Sequence, residues 1–480
     1  MLLALVVGYL LVSIGIGVSA ARRVRTARDY ITAGRSLPMV MVIAMVFATW
    51  FGAETVLGIS ATFLDEGFRG LISDPLGAAL CLVLFGLIFA VPLYRLNLIT
   101  LGDFFHIRYN RRTEMVLSAC IMLSYLGWVS AQVTALGLVF NVLSEGMISV
   151  TAGMLIGAGV VMIYTLVGGM WSVAVTTFVQ MIVIIIGLLL VTYTAGNMAG
   201  GFSHVISSAA AEGKFQWLPS PDLLDILGWT AALFTLALGS IPQQDVFQRV
   251  NTSRNEKVAL WGTTIGGIGY FFFAGVPLFL AYSGSLIDPE LTARLMETDT
   301  QLVLPTFVTT QMPFWLQVMF FGALLSVIMS TASGTLLAPS VTFTENILRN
   351  IVPDLSDAKL LLYTRVTVLV FTVLVVINAT ASSGDIHHMV ENAYRVTLAG
   401  VFVPLTAGLF WGRASNLGCT LSIVLGLGGW LLLELLFPEL PFEPQFAGLG
   451  LSLAGMIIGS LLRPNPNSAN KHGLAQPPHP

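Results

Sequence analysis

Residues 44–58, AMVFATWFGAETVLG, place Thr49, Trp50, Gly52, Glu54 and Thr55 near the centre of an otherwise apolar segment. A helix that only spans lipid has no use for a carboxylate there, which costs about 2.5–3.5 kcal/mol on insertion scales and normally faces protein or water. Gly52 eases unwinding, and an unwound turn frees backbone carbonyls that must find partners. The combination predicts a broken helix holding an ion and a solute at mid-membrane. A second polar stretch, LLSVIMSTASGTLLAPS, puts Ser326, Ser330, Thr331, Ser333, Thr335 and Ser340 on one helix beside Gly and Pro. Its hydroxyls and carbonyls suit a small hard cation, although such residues also serve close helix packing and back-bonding. Trp128, Gln132, Gln180, Gln243, Gln244 and Asp245 add further polar or aromatic groups inside apolar segments, more than helix pairing requires. Asp245 is a candidate gate or charge partner, although it also stands four residues before Arg249, a spacing that suits a structural ion pair. Arg395 lies within a span, either paired with Glu391 one turn earlier or acting as a gate or charge partner facing Glu54 or the solute. His387 and His388 fit a helix cap better than a metal site, since neighbouring side chains point to different faces.

The elements that must position these groups follow from composition. The chain is 56% hydrophobic and 10% charged, against roughly 25% charged in soluble domains. It is predicted to be an all-α polytopic membrane protein with thirteen helices, at about 2–21, 37–64, 74–94, 114–143, 147–167, 172–195, 225–247, 258–283, 314–345, 360–382, 387–411, 415–437 and 445–462. Residues 1–21 lack a preceding positive charge and are followed by Arg22, Arg23, Arg25 and Arg28, which fits an uncleaved first helix rather than a signal peptide. Loops 22–35, 95–112, 249–257 and 349–365, the turn at Arg413, and the tail with Arg463 and Lys471 hold 18 of the 22 Lys and Arg residues. The opposite loops hold only Arg69, Lys214 and Arg294. The positive-inside rule then places the N-terminus outside and the C-terminus in the cytoplasm. Cys81, Cys120 and Cys419 fall in apolar segments without metal-ligand spacing and read as inert thiols.

Five spans after the first interrupted helix, LGSIPQQDVFQR is interrupted again by Gly239 and Pro242. Five is odd, so a second five-span block runs inverted. Paired interruptions in inverted halves point to a secondary-transporter site. The expected organisation is an extra helix and basic loop (1–36), a first repeat (37–195), an extracellular loop (196–224), an inverted repeat (225–413), two peripheral helices (414–463) and a disordered tail (464–480). No P-loop, HExxH, nucleophile elbow or dinucleotide fingerprint is present, so neither an enzyme nor a nucleic-acid binder is expected.

Several motifs carry a resemblance: DYITAGRSLP, ATWFGAETVLG, LITLGDFFHIRYNRR, YTLVGGMWSVAVTTFVQ, IPQQDVFQRV, SVIMSTASGTLLAPS and FVPLTAGLFWGR. In order and spacing they resemble the sodium:solute symporter family, with its LeuT-type inverted-repeat fold, across nearly all of residues 1–463. Within the family, YTLVGGMWSVA and IPQQDVFQR resemble the high-affinity choline transporters and their bacterial relatives. The resemblance implies Na+ as coupling ion, held by Ala48, Phe51, Val327, Ser330 and Thr331. It also implies a solute pocket of Thr49, Trp50, Glu54, Thr55, Trp128, Gln132 and Gln243, to which the neighbouring Gln244 is added. Two positions depart from the pattern. Thr177 stands where the family usually has Asp, and Gln243 stands where the choline branch has a third aromatic wall.

The expected function is sodium-coupled symport of a small organic solute (an amine, amino acid, sugar or carboxylate) by alternating access, in the inner (plasma) membrane of a prokaryote. The alternatives are proton coupling through Glu54 and a transporter-like solute sensor, the latter calling for a signalling domain. Monomer and dimer are both left open.

Overall fold

A computed structural model describes residues 1–352, 355–382, 386–437, 440 and 442–465. The expected disordered tail therefore lies, from residue 466 on, outside the described residues. Every regular element among the described residues is helical, apart from one isolated bridge between Leu37 and Ser253. Among the described residues, nine helices are long and apolar enough to cross a membrane, or ten with the bent pair Ile386–Gly400 and Phe402–Phe410, whose axes turn by 45°. The architecture is an all-α polytopic bundle with apolar side chains such as Leu425, Leu432, Ile377 and Leu453 exposed on its outer face. Glu54, Gln132 and Gln243 are buried at its centre. This arrangement, polar inside and apolar outside, is stable only where lipid replaces water around it.

The element order explains how distant residues meet. The first apolar helix of the central bundle, Met39–Trp50, stops where Phe51 leaves helical geometry at φ −79°, ψ 75°. A wide turn over Glu54–Gly58 and the helix Ile59–Glu66 continue the span. Its counterpart, Leu223–Ala237, is separated from Gln244–Asn251 by a non-helical stretch at 238–243, where Pro242 has no N–H to donate. Gly239 in that break packs against the backbone oxygen of Tyr394, an approach that any Cβ would obstruct. The start of the first broken helix is tied to the end of the second: Leu37 N donates to Thr252 O at 3.0 Å and Arg254 N donates to Leu37 O at 3.1 Å.

Around them stand the long helices Arg111–Leu143, Val150–Met198, Glu256–Ile287 and Phe314–Thr342. At about 1.5 Å per residue, 49 residues over Val150–Met198 would reach about 74 Å, more than twice a bilayer core. Gly169 interrupts that helix at φ 50°, ψ −138°, with Tyr30 packed where a side chain would otherwise sit. Left-handed φ of this kind carries no penalty for glycine.

Candidate functional site

The break in the first helix rearranges four backbone groups, and that rearrangement builds the site. In an unbroken helix the N–H groups of Gly52 and Ala53 would serve the carbonyls of Ala48 and Thr49. Here Gly52 N donates instead to Trp50 O at 2.9 Å, and Ala53 N donates to Gln132 Oε1 at 3.0 Å. The freed Ala48 carbonyl accepts from the Thr331 hydroxyl at 3.0 Å, with the Phe51 carbonyl 3.4 Å from the same hydroxyl. Ser330, the preceding residue, donates to Val327 O at 2.8 Å. All of these residues are buried. The Thr331 hydroxyl thus meets the Ala48 and Phe51 carbonyls where the serine-rich helix crosses the break, with the Ser330–Val327 bond beginning one residue away on that same helix. A donor set made only of neutral oxygens suits a weakly charged hard cation.

Beside it, Glu54 is held by two residues one turn apart on Arg111–Leu143. Trp128 Nε1 donates to Oε1 at 3.2 Å and Gln132 Nε2 donates to Oε2 at 2.5 Å. Three aromatic rings form a box next to this carboxylate. Trp50 lies 5.3 Å from Trp128 and stacks on Tyr394 at 5.3 Å, while Trp128 meets Tyr394 edge-on at 5.6 Å. Among the described residues, Trp50 Nε1 and the Tyr394 hydroxyl are buried without a hydrogen-bond partner, so the box offers two unused polar atoms as well as π faces. A positive charge over such faces is worth about 0.5–1 kcal/mol when exposed and about 2 or more when desolvated.

Other sequence-selected residues have different partners. The Thr49 hydroxyl bonds back to Met45 O at 2.6 Å, within its own helix. Thr55 donates to Trp50 O at 2.9 Å and lies 3.3 Å from the Tyr270 hydroxyl. Gln243 pairs with Ser124 at 2.9 Å. Gln244 turns to the start of helix Leu101–Arg108, accepting from Leu101 N at 2.9 Å. Asp245 does pair with Arg249, at 3.0 Å with both side chains buried, and it also accepts from the Tyr125 hydroxyl at 2.5 Å. Arg395 does not pair with Glu391 or reach Glu54. Its guanidinium lies 3.2 Å from Glu434 and 3.2 Å from Glu443, joining its helix to the two peripheral ones. The Thr177 hydroxyl is buried without a hydrogen-bond partner among the described residues.

Three residues that the sequence did not single out belong to the site's surroundings. Tyr394 supplies the third ring, and its neighbour Arg395 drew attention to charge instead. Asp74 is buried and accepts from the Tyr270 hydroxyl, which in turn approaches Thr55. A carboxylate at the first position of an apolar run reads as a helix edge, which hid it. A polar cavity of about 330 Å³, lined by Asp65, Glu66, Ser73, His388 and Glu391 among others, opens beside Asp74.

A helical membrane bundle with two interrupted helices crossing at a buried polar centre is the architecture of a secondary transporter, in which broken helices replace an aqueous pocket at mid-membrane. The chain belongs to the sodium:solute symporter family, whose model matches residues 30–426. It is 28% identical over 391 residues to the high-affinity choline transporter 1 of Homo sapiens, covering 77% of this chain and 66% of that protein. The chain thus spans just under two thirds of the length of that relative. It is 26% identical over 437 residues to a sodium/sialic acid symporter of Aliivibrio fischeri, covering 87% and 84%. The sodium/glucose cotransporter of Vibrio parahaemolyticus is 22% identical over 472 residues, covering 91% and 86%. Among solved structures, the substrate-bound outward-open state of a Na+-coupled sialic acid symporter superimposes with a TM-score of 0.81 at 19% identity. That match covers 96% of this chain and 98% of the other, and it establishes a LeuT-like fold.

Proposed function

We propose that this protein couples the inward movement of sodium to uptake of a small organic solute carrying a cationic amine, by alternating access. The observation that carries the reading is the Thr331 hydroxyl set against the Ala48 and Phe51 carbonyls. A sodium ion held by those oxygens with Val327 and Ser330 would tie the serine-rich helix to the break and favour the state that receives solute. Loss of sodium to a sodium-poor cytoplasm would then loosen the same contact and release the solute.

The solute class follows from the box. Trp50, Trp128 and Tyr394 provide π faces beside Glu54, the arrangement that suits an ammonium group. Glu54, Trp128, Gln132 and the unpartnered Trp50 Nε1 form the inner wall, with Thr49, Thr55, Gln243 and Gln244 as surrounding residues and Asp245 linked through Tyr125. The position of Arg395 on Glu434 and Glu443 argues against its serving a solute carboxylate. Similarity to proteins named for choline and sialic acid supports a polar organic solute.

For the membrane arrangement we infer thirteen spans with the N-terminus outside, in the plasma membrane. The two apolar helices of 42 and 49 residues each correspond to more than one span. They break at Asp74, which has non-helical φ −135° and ψ 125°, and at Gly169. The short Met39–Trp50 and Leu223–Ala237 then complete the two broken spans, giving two inverted five-helix repeats (37–195 and 225–413) with one helix before and two after.

Uptake into proteoliposomes under an imposed sodium gradient is the test. Accumulation of a radiolabelled quaternary or primary amine that collapses without sodium supports the reading. Uptake driven by a pH gradient in sodium-free buffer would favour proton coupling through Glu54, the reading suggested by Thr177 at a position where the family usually has Asp.

A further inference from the structure

Away from the solute site, two apolar grooves of about 430 Å³ and about 390 Å³ run side by side. They share Phe68, Phe215, Phe272, Gly275 and Leu278. Phe272 is 75% exposed, so the shared ridge faces outward rather than into the bundle. Its depth is set by the helix Glu256–Ile287. Phe272 and Gly275 stand 16 and 19 residues from the start of a 32-residue helix, which at about 1.5 Å per residue puts them about 24–28 Å along it. The whole helix is about 48 Å long, so both residues stand near its middle, where a hydrocarbon core of about 30 Å would enclose them, while Phe215 and Trp217 close the groove from the 196–224 loop. An empty apolar recess leaves its lining atoms without dispersion partners.

We propose that the paired grooves are an acyl-chain site for a bilayer phospholipid. Gly275 is what makes room: a Cβ added there meets no atom within 4 Å. The walls on the far side belong to the segment that carries the buried carboxylate. Ile72, Pro75 and Leu76 line one groove on either side of Asp74, and Phe63, near the end of the first broken helix, lines the other. Phe68 stacks between Phe63 and Phe215, with centroids 5.3 and 5.2 Å away, and its N–H donates to Lys214 O at 2.7 Å. A chain seated in the groove therefore braces the 67–77 turn against the helix Glu256–Ile287. The site stands independently of the solute and of sodium.

The full chain, reconstituted with phosphatidylcholine bearing a diazirine within one acyl chain, is irradiated and its peptides are mapped by mass spectrometry. Labels are expected to concentrate on 68–76 and 271–278 over the equally lipid-exposed Leu425 and Leu432. Gly275→Leu, which fills the recess, is expected to lose that labelling, and Gly275→Ala to keep it. Leu278→Trp, a second filling variant at a residue that also lines both grooves, is expected to behave like Gly275→Leu if the latter does not fold. Even labelling of all bilayer-facing segments, or unchanged labelling in both filling variants, overturns the proposal. Labelling without any sodium-driven uptake would leave the lipid site standing and remove the transport reading instead.

Discussion

The hydroxyl of Thr331 donates to the carbonyl of Ala48 at 3.0 Å across 283 residues of sequence. It joins the helix richest in hydroxyls to the break that released the carbonyl. Thr331→Ala removes that hydroxyl without changing the fold of either helix. Sodium half-saturation of uptake is expected to rise at least about tenfold, one lost charge-assisted ligand of about 1.5–3 kcal/mol corresponding to roughly 10–150-fold. Ser330→Ala is expected to act in the same direction, and unchanged sodium dependence in both variants would remove these residues from the ion site.

Glu54→Gln keeps the shape of the side chain but leaves one acceptor oxygen for the two donors Trp128 Nε1 and Gln132 Nε2, so the protein should fold with a modest fall in melting temperature. If Glu54 faces an ammonium group, affinity for amine solutes should fall by roughly 10-fold or more, since truncating a buried charge pair typically costs about 2–5 kcal/mol. Isothermal titration in the presence of sodium reads this directly, and an equal loss for an uncharged analogue would argue against recognition of charge.

Tyr394 separates ring from hydroxyl. Tyr394→Leu removes the face stacked on Trp50 and is expected to weaken binding of a cationic solute by roughly 2–30-fold, the range corresponding to cation–π energies of about 0.5–2 kcal/mol. Tyr394→Phe keeps the face and should lose less. Equal losses in the two variants would assign the effect to the hydroxyl.

Arg395 is expected to matter for assembly of the outer helices and not for solute. It lies 3.2 Å from both Glu434 and Glu443, whose side chains are 39% and 41% exposed. Solvent screening then limits each pair to about 1 kcal/mol or less. Arg395→Gln should lower the melting temperature slightly and leave the solute dissociation constant in place. A large rise in that constant would restore the idea of a charge facing the solute.

The pair Asp245–Arg249 has no such screening. Both side chains are buried, and among the described residues the Arg249 Nε and Nη2 groups have no hydrogen-bond partner. Asp245→Asn leaves a buried guanidinium without its counter-charge, and breaking such a pair typically costs about 3–5 kcal/mol. A marked drop in thermal stability is expected, with partial recovery in the double variant Asp245→Asn, Arg249→Met.

How far the sequence reaches can be judged residue by residue. The interruption near Gly52 was legible because a glycine and a glutamate inside an apolar run conflict with a plain span. The second interruption was legible from Gly239 and Pro242. The turn at Gly168–Gly169 was legible too, since the paired glycines fall between two apolar stretches of bilayer length. Asp74 was not: an acidic residue at the edge of an apolar run reads the same whether it meets water or, as here, Tyr270. Arg395 was assigned a choice of Glu391 or Glu54 because sequence spacing reveals only partners on the same helix. Its actual partners come from two helices about 40 residues further on.

What this sequence determined by itself is the solvent and the local backbone. Composition selects a membrane, apolar run lengths select helices, and Gly and Pro mark where those helices cannot continue. These are properties of a residue and its near neighbours, so they are written in linear order. The partners across the bundle were decided only by tertiary packing. Thr331 reaching Ala48, Tyr394 closing the box beside Trp50, and Gln132 spanning Ala53 and Glu54 each depend on how helices far apart in sequence rotate and cross. That rotation is set by the packing of many side chains at once, and no spacing in the chain encodes it.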